Sequence, residues 1–503
     1  MSRIRTLSDA GPLSAAEQQL VDACKAGETC TLGDGTRPEG PDPARTIRAD
    51  LLRFLILGGD DACRVDEYGV ALRGAFIEGP LDLSFATARG RATMVACRFD
   101  QPIAAMQARF ETLALGGSAL PGLNAQGARI AGSVFLRKGF HATGTVSLAG
   151  AEIGGQLDCA GGRFEVKEGD ALNAQGARIP EAVFLSDGFH ATGMVRLTGA
   201  EIGGQLTCVG GRFEVRDGDA LQAQRMRVTG SFFWRNVRAE SGSVDLADVH
   251  VGDLVDDLAS WPPAGRLYLD GFTYDRISGA FTDARKRLDW LARGTVWEGE
   301  FFPQPYTQLA KVLREMGHEA EARRVLVERE RLLDRYRIKR LRAELADLRA
   351  LWETIWSFLL RWLVGYGYAP FRSIWALAAL IVIATGLGHQ AWESGDFAPN
   401  SAIILSTDDW RTLAEDATVA NPAKVWSDPT GPGRDYESFN AWAWGTDLVV
   451  PILSLGQTEA WAPSTARGPW GRRLWWARWV LEAFGWIVTA LGAAAITGII
   501  RRD

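Results

Sequence analysis

The sequence predicts a mostly β protein: a parallel quadrilateral β-helix, followed by a helical adaptor and two transmembrane helices. Three observations carry that expectation. First, a 49-residue unit recurs: Leu123-Asn-Ala-Gln-Gly-Ala-Arg-Ile130 returns unchanged at residues 172–179 and in worn form at 221–228. A fixed period of this fidelity marks a stacked repeat, because each unit buries its apolar face only against its neighbours. Second, apolar residues inside the unit come in i, i+2 pairs such as Val146/Leu148, Ala151/Ile153 and Leu157/Cys159. Alternation at period two means short strands, with Gly and small polar residues free to turn corners between them. Third, two long apolar runs lie beyond residue 373.

The Ala-x-Ile landmark moves from Ile153 to Ile179 to Ile202, giving coils of 26 and 23 residues. The repeat is therefore two turns of a parallel β-helix with roughly four faces. This five-residue rhythm, as in Val146-Ser-Leu-Ala-Gly and Ala151-Glu-Ile-Gly-Gly, resembles the pentapeptide-repeat proteins over about residues 69–277. The resemblance implies a right-handed quadrilateral β-helix and a scaffold or interaction role, and it transfers no functional residue. Insertions such as Val166-Lys-Glu-Gly-Asp170 break the alternation and are expected to protrude at one corner.

Residues 1–68 read as a helical cap. Ser14 is placed to N-cap a helix with Glu17 completing a capping box, and a second amphipathic helix is expected over 45–57. The β-helix is expected over 69–278, with its last rung at 267–277. From Asp283 the period becomes helical, giving an adaptor over 279–335. Residues 305–333 resemble one tetratricopeptide hairpin, with Tyr306, Leu309, Ala310, Gly317 and Ala322 at its landmark positions. A single hairpin makes no peptide-binding array, so it reads as a second cap or adaptor.

Residues 336–372 form an amphipathic or coiled-coil helix. Ile338, Leu341, Leu345, Leu348, Trp352, Ile355, Leu359 and Trp362 are spaced 3, 4, 3, 4, 3, 4, 3. That a/d pattern fits either a homo-oligomer seam, through Leu341, Leu345, Leu348, Trp352 and Ile355, or one helix packing on its own chain. Residues 352–362 also look suited to a membrane surface, with Arg361 able to snorkel.

The membrane domain is expected over 373–503, with spans at about 373–392 and 479–500 and a re-entrant-like segment at about 441–457. A span, a short apolar segment and a second span resemble two-helix pore-loop channels, although the Thr-Val-Gly-Tyr-Gly filter is absent. Within this region Glu482 and Asp447 are the candidate intramembrane polar residues. Glu482 either lines a pore or pairs with Arg478, its i−4 neighbour.

Basic residues before the first span (Arg335, Arg337, Lys339, Arg340, Arg342, Arg349, Arg361 and Arg372) put the N-terminal part in the cytoplasm, and Arg501 and Arg502 put the C-terminus there too. Arg467, Arg472, Arg473 and Arg478 argue the other way. The lack of an apolar N-terminal stretch in residues 1–30 favours the cytoplasmic placement in a cell (inner) membrane.

Composition excludes little and agrees with this division. Across 503 residues, 55 Lys+Arg and 61 Asp+Glu leave a net charge of −6, with no basic bias towards nucleic acid. All 19 tryptophans fall from Trp234 onward, which suits a membrane interface for the C-terminal part. The six cysteines form no C-x-x-C pair, and Cys159 and Cys208 are repeat equivalents at inward positions. His141 and His190 recur in the same corner, which favours a structural role over a metal site.

No nucleotide-binding, zinc-protease or serine-hydrolase motif occurs, so neither an enzyme nor an oxidoreductase is expected, and no catalytic residue, metal or cofactor is assigned. The expected partners are the lipid bilayer, a second copy of the chain and a cytosolic protein on the β-helix. Two functions follow: a sensing or scaffold β-helix coupled to a channel-like membrane domain, or a membrane-anchored scaffold without a pore.

Overall fold

The computed structural model describes residues 4–497 except 216, 240, 280, 298, 345 and 346. The chain divides into two compact units, Met1–Arg329 and Glu330–Asp503.

The first unit is a parallel β-solenoid. The coil strands are mostly two residues long and pair in parallel with the coils before and after; an antiparallel hairpin, Val296–Trp297 with Glu300–Phe301, lies apart from them. Four columns of strands run along it. One begins at Leu81–Asp82 and passes through nine successive rungs to Leu267–Tyr268. Another places Phe110, Ile130, Ile153, Ile179, Ile202, Val228, Val251 and Tyr274 in one buried file. The three isoleucines expected to share a column do so.

At the corners the chain must turn within a residue or two, and the left-handed conformation supplies the turn. Gly127, Gly150, Gly176 and Gly199 hold it at φ of 63 to 65°. These are repeat equivalents, which explains why the repeat keeps glycine there. A second interior file is aromatic: Phe140, Phe164, Phe189, Phe213, Trp234, Trp261 and Trp290 succeed one another at centroid distances of 5.3 to 5.7 Å. Tilted and offset rings at this spacing add to the area they bury.

The insertion at 166–170 does bulge at one corner, but as extended chain. The strand Arg163–Asn173 runs through it and pairs with His190–Arg196 across two register shifts. All six cysteines are free and buried. Burial pushes the Cys24 and Cys97 thiols up to about 12, so they carry no thiolate reactivity.

Both ends are capped. α1 (Ala15–Ala26) starts in the expected box: Ser14 Oγ accepts from Glu17 N at 3.1 Å, and Glu17 accepts from Ser14 N at 3.0 Å. The second helix, α2, is shorter than expected (Ala49–Ile56) because Thr46–Arg48 ahead of it is already a strand. With Thr29–Thr31 it adds a rung beneath residues 69–78, so the expected cap supplies part of the solenoid itself.

Buried Glu17 also binds Arg48 at 2.7 Å. Burial alone would raise its carboxyl, but hydrogen bonds from Arg48 and from Ser14 N–H outweigh it and hold the group below its usual range. A depressed carboxyl stabilises the fold above the ordinary glutamate range and loses that contribution as pH falls through the folded value. Glu17→Gln is therefore expected to cost about 2 kcal/mol at neutral pH. Denaturant titrations of variant and parent should converge below the carboxylate range.

At the other end, α3 (Ala284–Gly294) is N-capped by Asp283 and closes over the last rung with Trp290 and Leu291. α4 (Gln304–Glu315) and the start of α5 (Glu319–Ala343) form the hairpin, with Tyr306, Leu309, Ala310 and Ala322 buried.

The second unit does not hold the long straight helix expected from Ile338 to Trp362. α5 ends at Ala343 and α6 begins at Asp347. Arg337 on α5 lies 3.7 Å from Glu353 on α6. Sixteen residues would separate the pair by about 24 Å on one straight helix, so the chain folds back between them. α6 (Asp347–Leu359) runs into a π turn at Leu360–Val364 and a left-handed step at Gly365 and Tyr366. α7 (Phe371–Glu393) follows.

Between α7 and the last long helix lie α8 (Ala402–Leu405), α9 (Asp408–Glu415), α10 (Pro422–Trp426), α11 (Ala441–Val449) and α12 (Gln457–Ala460). A small hairpin pairs Phe397–Pro399 with Trp461–Pro463. Trp392, Phe397, Trp426, Trp444 and Trp461 are buried together here. α13 (Pro469–Ile496) starts about ten residues earlier than the expected span and carries Arg472, Arg473 and Arg478 in its first turns. The end of that expected span, 498–500, lies outside the described residues.

Candidate functional site

α7 and α13 are 23 and 28 residues long and apolar enough to cross a membrane. At 1.5 Å per residue they measure about 35 and 42 Å, against a hydrocarbon core of about 30 Å. Only 22% and 33% of their most apolar stretches are buried within the protein. A core helix of a soluble protein would hide most of that surface.

Small residues set their closest contacts. A Cβ on Gly388 would meet Trp444, and one on Gly445 would meet Thr385. A Cβ on Gly485 would lie 2.0 Å from the Val449 carbonyl oxygen, and one on Gly492 would lie 2.7 Å from Ser373 Oγ. At these points α7, α11 and α13 approach closely, around a core that also holds Trp444, Leu448, Val449 and Leu481, while Trp375, Val382, Ile383, Trp479 and Trp486 are exposed. Close approach at small residues is common among helices packed in lipid.

α11 and the chain after it occupy the place of the expected re-entrant segment. Trp442, Ile452, Leu453 and Leu455 are exposed there. Asp447 is half-buried and fixes this turn: its carboxylate accepts from Leu455 N (2.8 Å), Thr458 N (2.8 Å) and Thr458 Oγ1 (2.9 Å). Three donors on one carboxylate give Asp447 a structural task within its own chain.

Glu482 is on the outward side of α13, exposed, and makes no ion pair among the described residues. Arg478 instead lies over the Trp475 and Trp479 rings, at 5.5 and 5.1 Å. Among the described residues no hydrogen bond or ion pair joins Asp447 and Glu482.

Of the seam residues, Leu341 is half-buried on α5, while Leu348, Trp352 and Ile355 are exposed on α6. Leu345 lies outside the described residues. Leu341 is thus on one helix and Leu348, Trp352 and Ile355 are on the next. Sequence spacing missed the break because the heptad count continues across it.

The solenoid's outer surface carries a charged column that sequence reasoning did not single out. Arg109, Arg129, Glu152, Arg178, Glu201 and Arg227 occupy one register position on successive coils. Arg129–Glu152 (3.1 Å) and Arg178–Glu201 (3.4 Å) pair across rungs, and a shallow groove runs alongside. The signal was present in the repeat, since these residues immediately precede the inward isoleucines. On another face His141 bonds Glu165 (2.9 Å) and His190 bonds Glu214 (3.2 Å). Each histidine is tied to one carboxylate of the next coil, and no metal-binding group of three His, Cys, Asp or Glu occurs among the described residues.

Comparison of the chain with protein families, with curated proteins and with solved structures yields no match.

Proposed function

We propose that this protein is a membrane-anchored scaffold: the solenoid is the docking part, and α7 with α13 is a two-helix anchor. The observation that carries this reading is the outward apolar surface of two long helices joined by glycine contacts. Such surface is costly in water, and a lipid bilayer covers it. The pentapeptide-repeat resemblance of the solenoid supports the docking role. Its column of Arg109, Arg129, Arg178 and Arg227, interrupted by two glutamates, suits a cytosolic protein partner presenting acidic groups.

The basic residues ahead of α7 favour a solenoid on the cytoplasmic side of the cell (inner) membrane, with both termini inside. In intact cells, a Lys167→Cys variant should react with an impermeant maleimide only after permeabilisation, and a Trp442→Cys variant before it. The protein should stay in the membrane pellet after carbonate extraction. Release by carbonate overturns the anchor, and labelling of the Lys167→Cys variant from outside overturns the topology.

A second reading rests on α11, which packs against both long helices as the short helix of a pore-loop channel would. In that reading several chains assemble with Glu482 turned to a shared axis, where its outward carboxylate finds company. Purified protein in vesicles would then pass ions, and Glu482→Gln would cut the flux several-fold at unchanged assembly. Flux no greater than from empty vesicles returns the anchor reading.

A further inference from the structure

α6 exposes a broad apolar face that nothing among the described residues of the second unit covers. Leu348, Leu351, Trp352, Ile355, Phe358 and Trp362 lie on it, with Leu348 at 85% and Trp352 at 66% exposed. At 100° per residue the five on α6 itself, Leu348 to Phe358, span about 120° of the helix, and Trp362 follows in the π turn. The opposite side is spoken for. Ala350 is buried, Glu353 pairs with Arg337, and Ser357 Oγ lies 2.9 Å from the Tyr366 hydroxyl. An apolar arc with four aromatic or aliphatic positions in its first two turns is costly in water, and a single helix of 13 residues has no interior of its own in which to hide it.

The location of this face points to its occupant. Directly after α6, Val364 in the π turn is buried against Leu491 and Ala495 near the end of α13. Further on, Ser373 meets Gly492 where α7 begins. The C-terminal end of α6 therefore sits at the end of the bundle where α7 enters and α13 finishes, which is the level of the membrane surface. Three of the six residues on the exposed arc are aromatic, and tryptophan prefers that depth because its ring is apolar while its N–H stays wet.

Charge adds a second argument. Residues 335–372 hold eight Arg and Lys against three Asp and Glu, a local +5 in a chain of −6. Arg335, Lys339, Arg342, Arg349, Arg361 and Arg372 in this stretch are exposed. Exposed basic residues on the segments that flank an exposed aromatic face match an anionic bilayer surface, in which phosphates meet the cations while the rings enter the acyl boundary. A second copy of the chain would bring the same positive charge against itself.

We infer that α6 is an interfacial helix that lies on the anionic lipid surface beside the two spans, its Leu348–Trp352–Ile355 face in the headgroup boundary. The inference rests on the membrane reading of α7 and α13 and adds a lipid class to it. α6 then makes the seating of the chain on the bilayer depend on lipid composition, since each basic residue near the surface adds about fivefold to lipid affinity.

The test uses full-length protein in vesicles, labelled with a polarity-sensitive fluorophore at Leu348→Cys or, as a reference, at Val382→Cys on α7. The six native cysteines are buried and leave the new thiol as the reactive one. Vesicles are of phosphatidylcholine alone or with phosphatidylglycerol, each with a spin-labelled phospholipid as quencher. Both labels are expected to be quenched. At Leu348 the quenching should rise several-fold with phosphatidylglycerol and fall back when Arg335, Lys339, Arg342 and Arg349 are changed to Gln.

Quenching at Val382 but not at Leu348 overturns the interfacial helix and leaves the spans intact. A Leu348 label that is shielded yet unquenched, in a protein of doubled mass, assigns the face to a second chain instead. Quenching at Leu348 that is indifferent to phosphatidylglycerol overturns the anionic-lipid assignment. No quenching at Val382 removes the membrane reading and this inference together.

Discussion

Ile179→Asp is expected to destabilise the solenoid by about 5 kcal/mol, enough to unfold much of a marginal domain. Ile179 is buried between Ile153 and Ile202 in a file where strands repeat at about 4.8 Å. Losing the side chain's burial costs roughly 2 to 3 kcal/mol, and a carboxyl placed there with no donor costs a further ~1 to 3 kcal/mol.

The file leaves the new group no water, so it titrates above the unfolded value of about 3.9. A raised acid binds more protons in the folded state, so stability falls as pH rises from that value through the raised one. The variant should therefore be least defective in acid and most defective at neutral pH. Ile179→Val keeps the file apolar and should cost only about 1 kcal/mol. Thermal melts of the three proteins across pH check the prediction. Equal melting of the Asp and Val variants would mean that position 179 does not face the interior.

That position was legible in the sequence because two signals coincide there. The Ala-x-Ile landmark gives the inward phase of the strand, and its recurrence every 23 to 26 residues gives the coil. The caps were only half legible. Ser14 and Glu17 announce their box locally, whereas Thr29–Thr31 and Thr46–Arg48 are strands only because a rung lies beside each. A three-residue strand has no period of its own to read.

In the second unit, composition located α7 and α13, since a bilayer-length apolar run is a property of the run alone. The fold-back between α5 and α6 was hidden because an unbroken heptad count is the same on one helix or two. Asp447 was noticed for being acidic among apolar residues. Its task, holding Leu455 and Thr458, depends on a turn of the chain that spacing does not encode.

The same limit applies to the largest buried polar feature, and it yields the other strong expectation. Arg287→Leu should cost about 3 to 5 kcal/mol, although nothing in the sequence marks residue 287. Arg287 and Asp256 both have fully buried side chains and meet through two parallel bonds of 2.8 and 2.9 Å. Trp261 Nε1 donates to the same carboxylate at 2.7 Å, and Arg287 Nε donates to the Phe281 carbonyl at 3.1 Å. The guanidinium also lies over the Phe281 ring at 4.5 Å.

Each nitrogen and each oxygen of the pair thus has at least one partner, which is the condition under which a buried ion pair is tolerated. The bond ties α3 to the last rungs of the solenoid, where the aromatic file ends at Trp290. Removing the arginine leaves a desolvated carboxylate with one remaining side-chain donor. Removing the charge from both sides, as Asp256→Asn with Arg287→Leu, leaves a neutral amide at the same indole and should recover more than half of the loss.

A double-mutant cycle in denaturant measures that coupling. It should show the single Arg287 variant as the least stable of the set, with α3 the first element to lose protection from hydrogen exchange. If the double variant proves no more stable than the single one, the pair's cost lies in packing, and the charge argument fails.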